Sequence, residues 1–190
     1  RLWTMEGADY IEDSGGAGHI DHAAFGELDG DPSNGPEIGI AGSAPGFFLV
    51  DARTGALLRH HRFGHVQGIY AGNFRPDLPG LETVSINFWG NQGIHHDYDA
   101  HGDITHDCEP NPFGSMCLPI NWTGQPGEFF VHSPNVTHGG MFDGWGRPVV
   151  TFPDDGHPDM CNAVLDLTGD CRDEVVVWDP HELWVYTQDD

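Results

Sequence analysis

The segment DLTGDCRDEVVVWD, residues 166–179, decides how the rest of the chain is read. A polar turn containing glycine ends on Glu174, and the apolar run VVVWD follows at once. β-Branched and aromatic residues suit a pleated, half-buried surface, so this run predicts a strand entered through the turn. The arrangement recurs upstream. Glu37 precedes IGIAG, Glu82 precedes TVSIN and Glu128 precedes FFVHS, which sets the four glutamates at intervals of 45 to 46 residues.

The second half of each unit repeats as well. FFLVDARTGALL (47–58) carries Asp51 and Gly55, DYDAHGDI (97–104) carries Asp99 and Gly102, and GGMFDGWGRPVV (139–150) carries Asp143 and Gly146. Each reads as strand, Asp-Gly type turn, strand, the chemistry of a hairpin. The last unit closes in ELWVYT (182–187) before such a turn appears. One unit is therefore an inner strand, a second strand and an outer hairpin, the size of a propeller blade.

The expected fold is all-β: a β-propeller of four blade-like repeats of about 46 residues, at about 19–63, 64–110, 111–155 and 156–190. Four blades seldom close a ring, so residues 1–190 are expected to be one part of a seven- or eight-bladed propeller. A β-solenoid is the alternative architecture, although its repeats are usually shorter.

Composition agrees. The 190 residues include 27 glycines and 14 prolines, with no convincing 3.6-residue apolar period, so loop-rich β structure is favoured over a helical bundle. Seven basic residues, all Arg, face 30 acidic ones, for a formal charge of −23. Phosphate recognition needs clustered cations, which excludes nucleic acid and anionic membrane as partners. No apolar run is long enough to span a bilayer.

The carboxylates are concentrated in the turns ahead of the glutamates. From Asp166, oxygen side chains fall at positions 1, 3, 5 and 9, namely Asp166, Thr168, Asp170 and Glu174. Alternating oxygens on such a turn can wrap a hard cation that needs six to eight oxygen ligands, so Ca2+ is the expected cofactor. ELDGDPSNGPE (27–37) keeps the layout with two inserted residues, offering Glu27, Asp29, Asp31 and Glu37. NFRPDLPGLE (73–82) offers Asn73, Asp77 and Glu82 but places Arg75 where a ligand would stand, so a guanidinium can replace the ion there. The third unit has lost the acids. A repeated site argues for stapling blade turns, because an active site usually occurs once.

Histidines form a second pattern. Gly18-His19, Gly64-His65 and Gly156-His157 each stand eight or nine residues ahead of their turns, just before the inner strands. Inner strands line a propeller's axis, so these imidazoles are expected to converge on one opening, where proton transfer near neutral pH is possible. His60-His61 and His95-His96 lack the spacing of fixed zinc ligands and read as surface residues.

Taken together, the repeated acidic turns entering a blade strand, the DGWGR turn and the closing DLTGDCRDEVVVWDPHELWVYT resemble the calcium-binding β-propeller polysaccharide lyases. These are the rhamnogalacturonan lyases and the related rhamnose–glucuronate lyases. The likeness covers most of 21–190 and is most specific over 156–179. Arg75 and the acid-free third unit depart from it. It implies an acidic polysaccharide substrate containing rhamnose and uronate, a monomer, and β-elimination: a base removes the C5 proton of the uronate while a cation neutralises its carboxylate. On that reading His65 is the base, His157 the leaving-group acid and His19 the reserve, with Arg75 or calcium at the carboxylate. Trp89 and Asn91, in the polar loop NFWGNQG (87–93), are expected to bind sugar rings and hydroxyls. A non-catalytic propeller module binding glycans or proteins is the alternative. A hydrolase ranks last, since Asp154, Asp155 and Asp159 are the only acids outside the turns that could form its carboxylate pair.

Of the three pairings open to four cysteines, Cys108–Cys117 with Cys161–Cys171 is the most local. Disulfides and calcium would both suit an extracellular, secreted protein, as would the glycosylation acceptors at Asn121 and Asn135.

Overall fold

A computed structural model describes residues 2–5, 18–62, 64–88, 93–108 and 116–189. Among these, every regular element is a strand, and no helix is long and apolar enough to cross a membrane. In chain order the strands are β1 (His22–Gly26), β2 (Glu37–Ala41), β3 (Phe47–Asp51), β4 (Leu57–His61), β5 (Val66–Gly72), β6 (Glu82–Asn87), β7 (His95–Tyr98) and β8 (Ile104–Cys108). They continue as β9 (Leu118–Ile120), β10 (Phe129–Ser133), β11 (Gly140–Phe142), β12 (Pro148–Val150), β13 (Cys161–Leu165), β14 (Glu174–Trp178) and β15 (Leu183–Tyr186).

The strands form four separate antiparallel sheets, β1–β4, β5–β8, β9–β12 and the three-stranded β13–β15, each ordered as in the chain. One sheet falls within each of the four sequence repeats, and the strands flanking the three Asp-Gly turns pair as β3–β4, β7–β8 and β11–β12. Successive sheets pack face to face. Leu28, Phe47, Leu49, Val66, Ile69 and Tyr98 fill the seam between the first and second sheets, with the Phe47 and Tyr98 rings stacked 4.1 Å apart. Phe74, Val84, Ile86, Phe130 and Phe142 fill the second seam, and Ile120, Val131, Met141, Val175 and Val177 the third.

The repeating glutamate has a mechanical role. Glu37 Oε2 accepts the Leu28 amide (2.8 Å), Glu82 Oε2 the Arg75 amide (2.7 Å) and Glu174 Oε2 the Leu167 amide (2.6 Å). Each of these carboxylates opens its strand and ties down the preceding turn. Glu128 is different: it stands one residue before β10, and its Oε2 reaches back to the Asn73 amide of the second sheet (2.7 Å). Its true counterpart is Asp173, whose Oδ2 accepts the Asn121 amide of the third sheet (2.7 Å). The backbone repeats with that register. Leu81, Glu128 and Asp173 donate their amides to the carbonyls of Leu28, Asn73 and Asn121 in the preceding sheet.

The expected disulfides are not formed. None of Cys117, Cys161 and Cys171 is joined in a disulfide, and Cys117 Sγ lies 3.9 Å from His132 Nδ1. Cys161 begins β13 opposite Trp178, whereas Cys171 lies in the turn beyond Leu165, at the other end of a five-residue strand. At about 3.3 Å per residue that separates them by well over 10 Å, beyond the reach of a bridge.

Candidate functional site at the strand ends

Topology divides the predicted residues between two ends of the sheets. The carboxylate turns, β1–β2, β5–β6 and β13–β14, lie at one end with the outer hairpin turns. The starts of β1, β5 and β13 lie at the other, about 20 Å away along the strands, together with the loops that join each second strand to its third.

At that second end His19 and His65 converge on Asp21. His19 Nε2 lies 3.0 Å from Asp21 Oδ1, and His65 Nε2 lies 3.1 Å from Asp21 Oδ2. The latter pair is close but misaligned: both atoms are buried and neither completes a hydrogen bond. One donor atom from each of the three residues falls within 4.8 Å of the others, a set able to hold a metal ion. Ser43 Oγ meets His65 Nδ1 at 3.0 Å. Ser43 is held at φ 58 by two backbone hydrogen bonds to Val66, which join the first two sheets at this end. A non-glycine residue in that region carries strain that the surrounding structure must support, a pattern common at functional sites. The His19 side chain is 64% exposed while that of His65 is 15% exposed, so His19 faces solvent and His65 backs it.

His157 does not join them. Its side chain is fully buried between the third and fourth sheets, with Nδ1 2.8 Å from Asp155 and Nε2 2.7 Å from the Pro134 carbonyl. Desolvation acts against its charge, but these two hydrogen bonds outweigh it and raise its pKa. Arg75 lies at the turn-bearing end. Its guanidinium grips Asp77 in bidentate fashion (2.8 and 2.9 Å) and stacks 4.4 Å over Trp145, so it is engaged at the turn-bearing end. Burial pushes the adjacent Glu82 carboxyl up to about 7. Trp89 and Asn91 lie outside the described residues.

The carboxylate turns differ in the same way. Glu27, Asp29 and Glu37 converge within 4.8 Å, and Glu27 Oε1 is buried without a partner, so the first turn fits a hard cation. Desolvation, then Asp29 and Glu37, holds the Glu27 carboxyl above its usual range, a cost that a cation would remove. Asp31 turns away to cap Ser33. In the fourth turn Asp170 is bound by Arg172 and Asp166 accepts the Gly169 and Cys171 amides. In the second turn Asp77 is bound by Arg75 and the Asn73 amide is donated to Glu128.

Sequence reasoning missed the buried histidines. His95 and His96 are 0% and 6% exposed, correcting the expectation that they lie on the surface. β7 is buried on both faces, so its polar letters HHDY conceal an interior strand. Asp97, between the second and third sheets, is buried too.

No protein-family model and no curated protein matches the chain. Solved structures do. A crystal structure of the rhamnogalacturonan lyase YesW is similar over 86% of this chain with 23% identity and a TM-score of 0.60. A Bacillus licheniformis rhamnogalacturonan lyase PL11 is similar over the same share with 23% identity and a TM-score of 0.59. The chain spans 28% of the length of each, and over that stretch it has the fold of these lyases.

Proposed function

We propose that the chain is part of a polysaccharide lyase that cleaves a rhamnose- and uronate-containing polymer by β-elimination, its sheets being successive blades of a propeller. The observation that carries the reading is the convergence of His19, Asp21 and His65 at the loop-bearing end of a chain folded like the rhamnogalacturonan lyases. A polymer of that kind is met outside cells, which favours an extracellular protein.

In the reaction a base takes the C5 proton, the C5–H electrons form the C4=C5 bond, and the C4–O4 bond breaks onto an oxygen that is then protonated. His19, exposed and paired with Asp21, would be the base. Asp21 orients its ring and balances the imidazolium, as in other carboxylate–histidine pairs. His65, fixed by Ser43, stands 3.1 Å from the second oxygen of Asp21. His157, with both nitrogens bound, is assigned to packing. Arg75 lies too far from this group to meet the same carboxylate. Glu27, Asp29 and Glu37 would hold calcium, which would supply positive charge to the turn at the opposite end and staple it.

The test uses the intact protein and rhamnogalacturonan, following ultraviolet absorbance of the unsaturated uronate. His19→Ala and Asp21→Asn should each lower kcat by about 10²–10⁴, the usual worth of a positioned base, with the melting temperature unchanged. Wild-type turnover in both variants would remove the assignment. Binding of the polymer without any unsaturated product would favour the non-catalytic module.

A further inference from the structure

We infer that His95, Asp97 and His106 form a buried site for a transition-type divalent cation such as Zn2+, separate from the His19 cluster. The three residues come from one hairpin. His95 and Asp97 are alternate residues of β7 and so share a face, and His106 of β8 is the direct cross-strand partner of Asp97. One donor atom from each lies within 4.8 Å of the others. The face they share is pressed on the third sheet, where the His95 ring meets Phe130 edge-on at 5.5 Å and Phe142 at 6.1 Å.

Asp97 supplies the second observation. It is 4% exposed, and neither of its carboxylate oxygens has a hydrogen-bond partner. A buried carboxylate left in that state is among the costliest arrangements in a protein, and in native interiors such groups are paired or bind metal. Protonation would remove the charge yet leave both oxygens unbonded. The nearby guanidinium of Arg75 is committed to Asp77, and that of Arg147 to Asp143. Burial and the nearby Asp143 both disfavour a charge on Asp97, and Arg75 offsets only part of that penalty. An ion bonded to Asp97 would satisfy both needs.

The donor set chooses the ion. Two imidazoles and one carboxylate suit zinc and its neighbours, whereas calcium takes oxygen ligands. Three protein ligands leave a fourth tetrahedral position for water. His106 is only half-buried, which provides a way in. Gly146, at φ +70, lets the β11–β12 turn pass directly over the His106 ring, where any Cβ would collide with Nε2.

The intact protein, stripped with chelator, should be given one equivalent of Zn2+ and passed through gel filtration, with bound metal measured in the eluted protein. The background carries His65→Ala, which removes the other histidine cluster. One zinc should be retained and should raise the melting temperature. His106→Ala and Asp97→Asn should each weaken binding by at least about 100-fold, the upper end of what losing a mere supporting partner costs. Their melting temperatures in chelator should stay close to that of the background. Co2+ should give the visible absorption of a tetrahedral nitrogen–oxygen site, absent in His106→Ala. Because His106 is partly exposed, that variant carries the test even where Asp97→Asn does not fold. Failure of the background to retain zinc, or retention unchanged in His106→Ala, overturns the inference. Neither result bears on lyase activity, which is read separately.

Discussion

Two histidines of the same Gly-His pattern end in opposite circumstances, and the difference is chemical. His19 has one ring nitrogen on a carboxylate and its face in water, whereas His157 spends both nitrogens inside a seam. The His157 pKa is raised, so the folded state holds that proton more tightly than an unfolded histidine near 6.5 does. Its contribution to stability is then fully present below about 6.5 and is lost as pH rises through the folded value. Asp155 is the reverse case. Desolvation raises its pKa, but hydrogen bonds from His157 and Tyr186 lower it overall, so its contribution is present above the unfolded value of 3.8 and lost as pH falls through the lower folded value. The melting-temperature gap between wild type and His157→Gln should therefore be widest near about pH 5.5 and narrow toward alkaline pH. A gap that widens above neutrality would mean that the buried ring is neutral.

At the scale of the strand and its turn, the apolar runs and Asp-Gly turns were readable because strand periodicity and hairpin chemistry are local. The glutamate register was readable for three units because in each the carboxylate does one job, tying the turn's amides. It misled at Glu128, since a one-residue slip in a polar turn leaves almost no trace in spacing while moving the carboxylate onto a neighbouring sheet. Ligand spacing misled in a similar way. The fourth turn matches the oxygen pattern best, yet Arg172 reaches Asp170, and sequence spacing cannot tell which side chain wins that contest. Calcium binding should accordingly depend on the first turn. At about 100 times its Kd, calcium should stabilise the intact protein by about 2.7 kcal/mol. Glu27→Gln should remove most of that gain. Glu174→Gln should instead lower the melting temperature by similar amounts in calcium and in chelator, because it weakens the hydrogen bond to Leu167. Thermal scans of both variants with and without calcium check this, and a calcium gain intact in Glu27→Gln would move the ion elsewhere.

Across the molecule, the sheets cohere through three successive apolar seams, each filled by the faces of two neighbours. This is the logic of a repeat protein, in which each unit's stability depends mainly on the units beside it. The first and last sheets each leave a large apolar side chain open: Phe25 is 70% exposed and Leu183 63%. Seam order follows chain order, so damage to one seam should stay local. Phe47 is fully buried and stacked on Tyr98, whose hydroxyl is within 2.8 Å of Ser85 Oγ in the second sheet. Phe47→Ala should cost about 3–5 kcal/mol, the usual penalty for deleting a buried aromatic ring. In hydrogen exchange, β1–β8 should lose protection while β13–β15 keep theirs, since regions that do not share the seam open independently. Equal loss in all four sheets would show a single cooperative unit, and the sheet-by-sheet account of stability would fail with it.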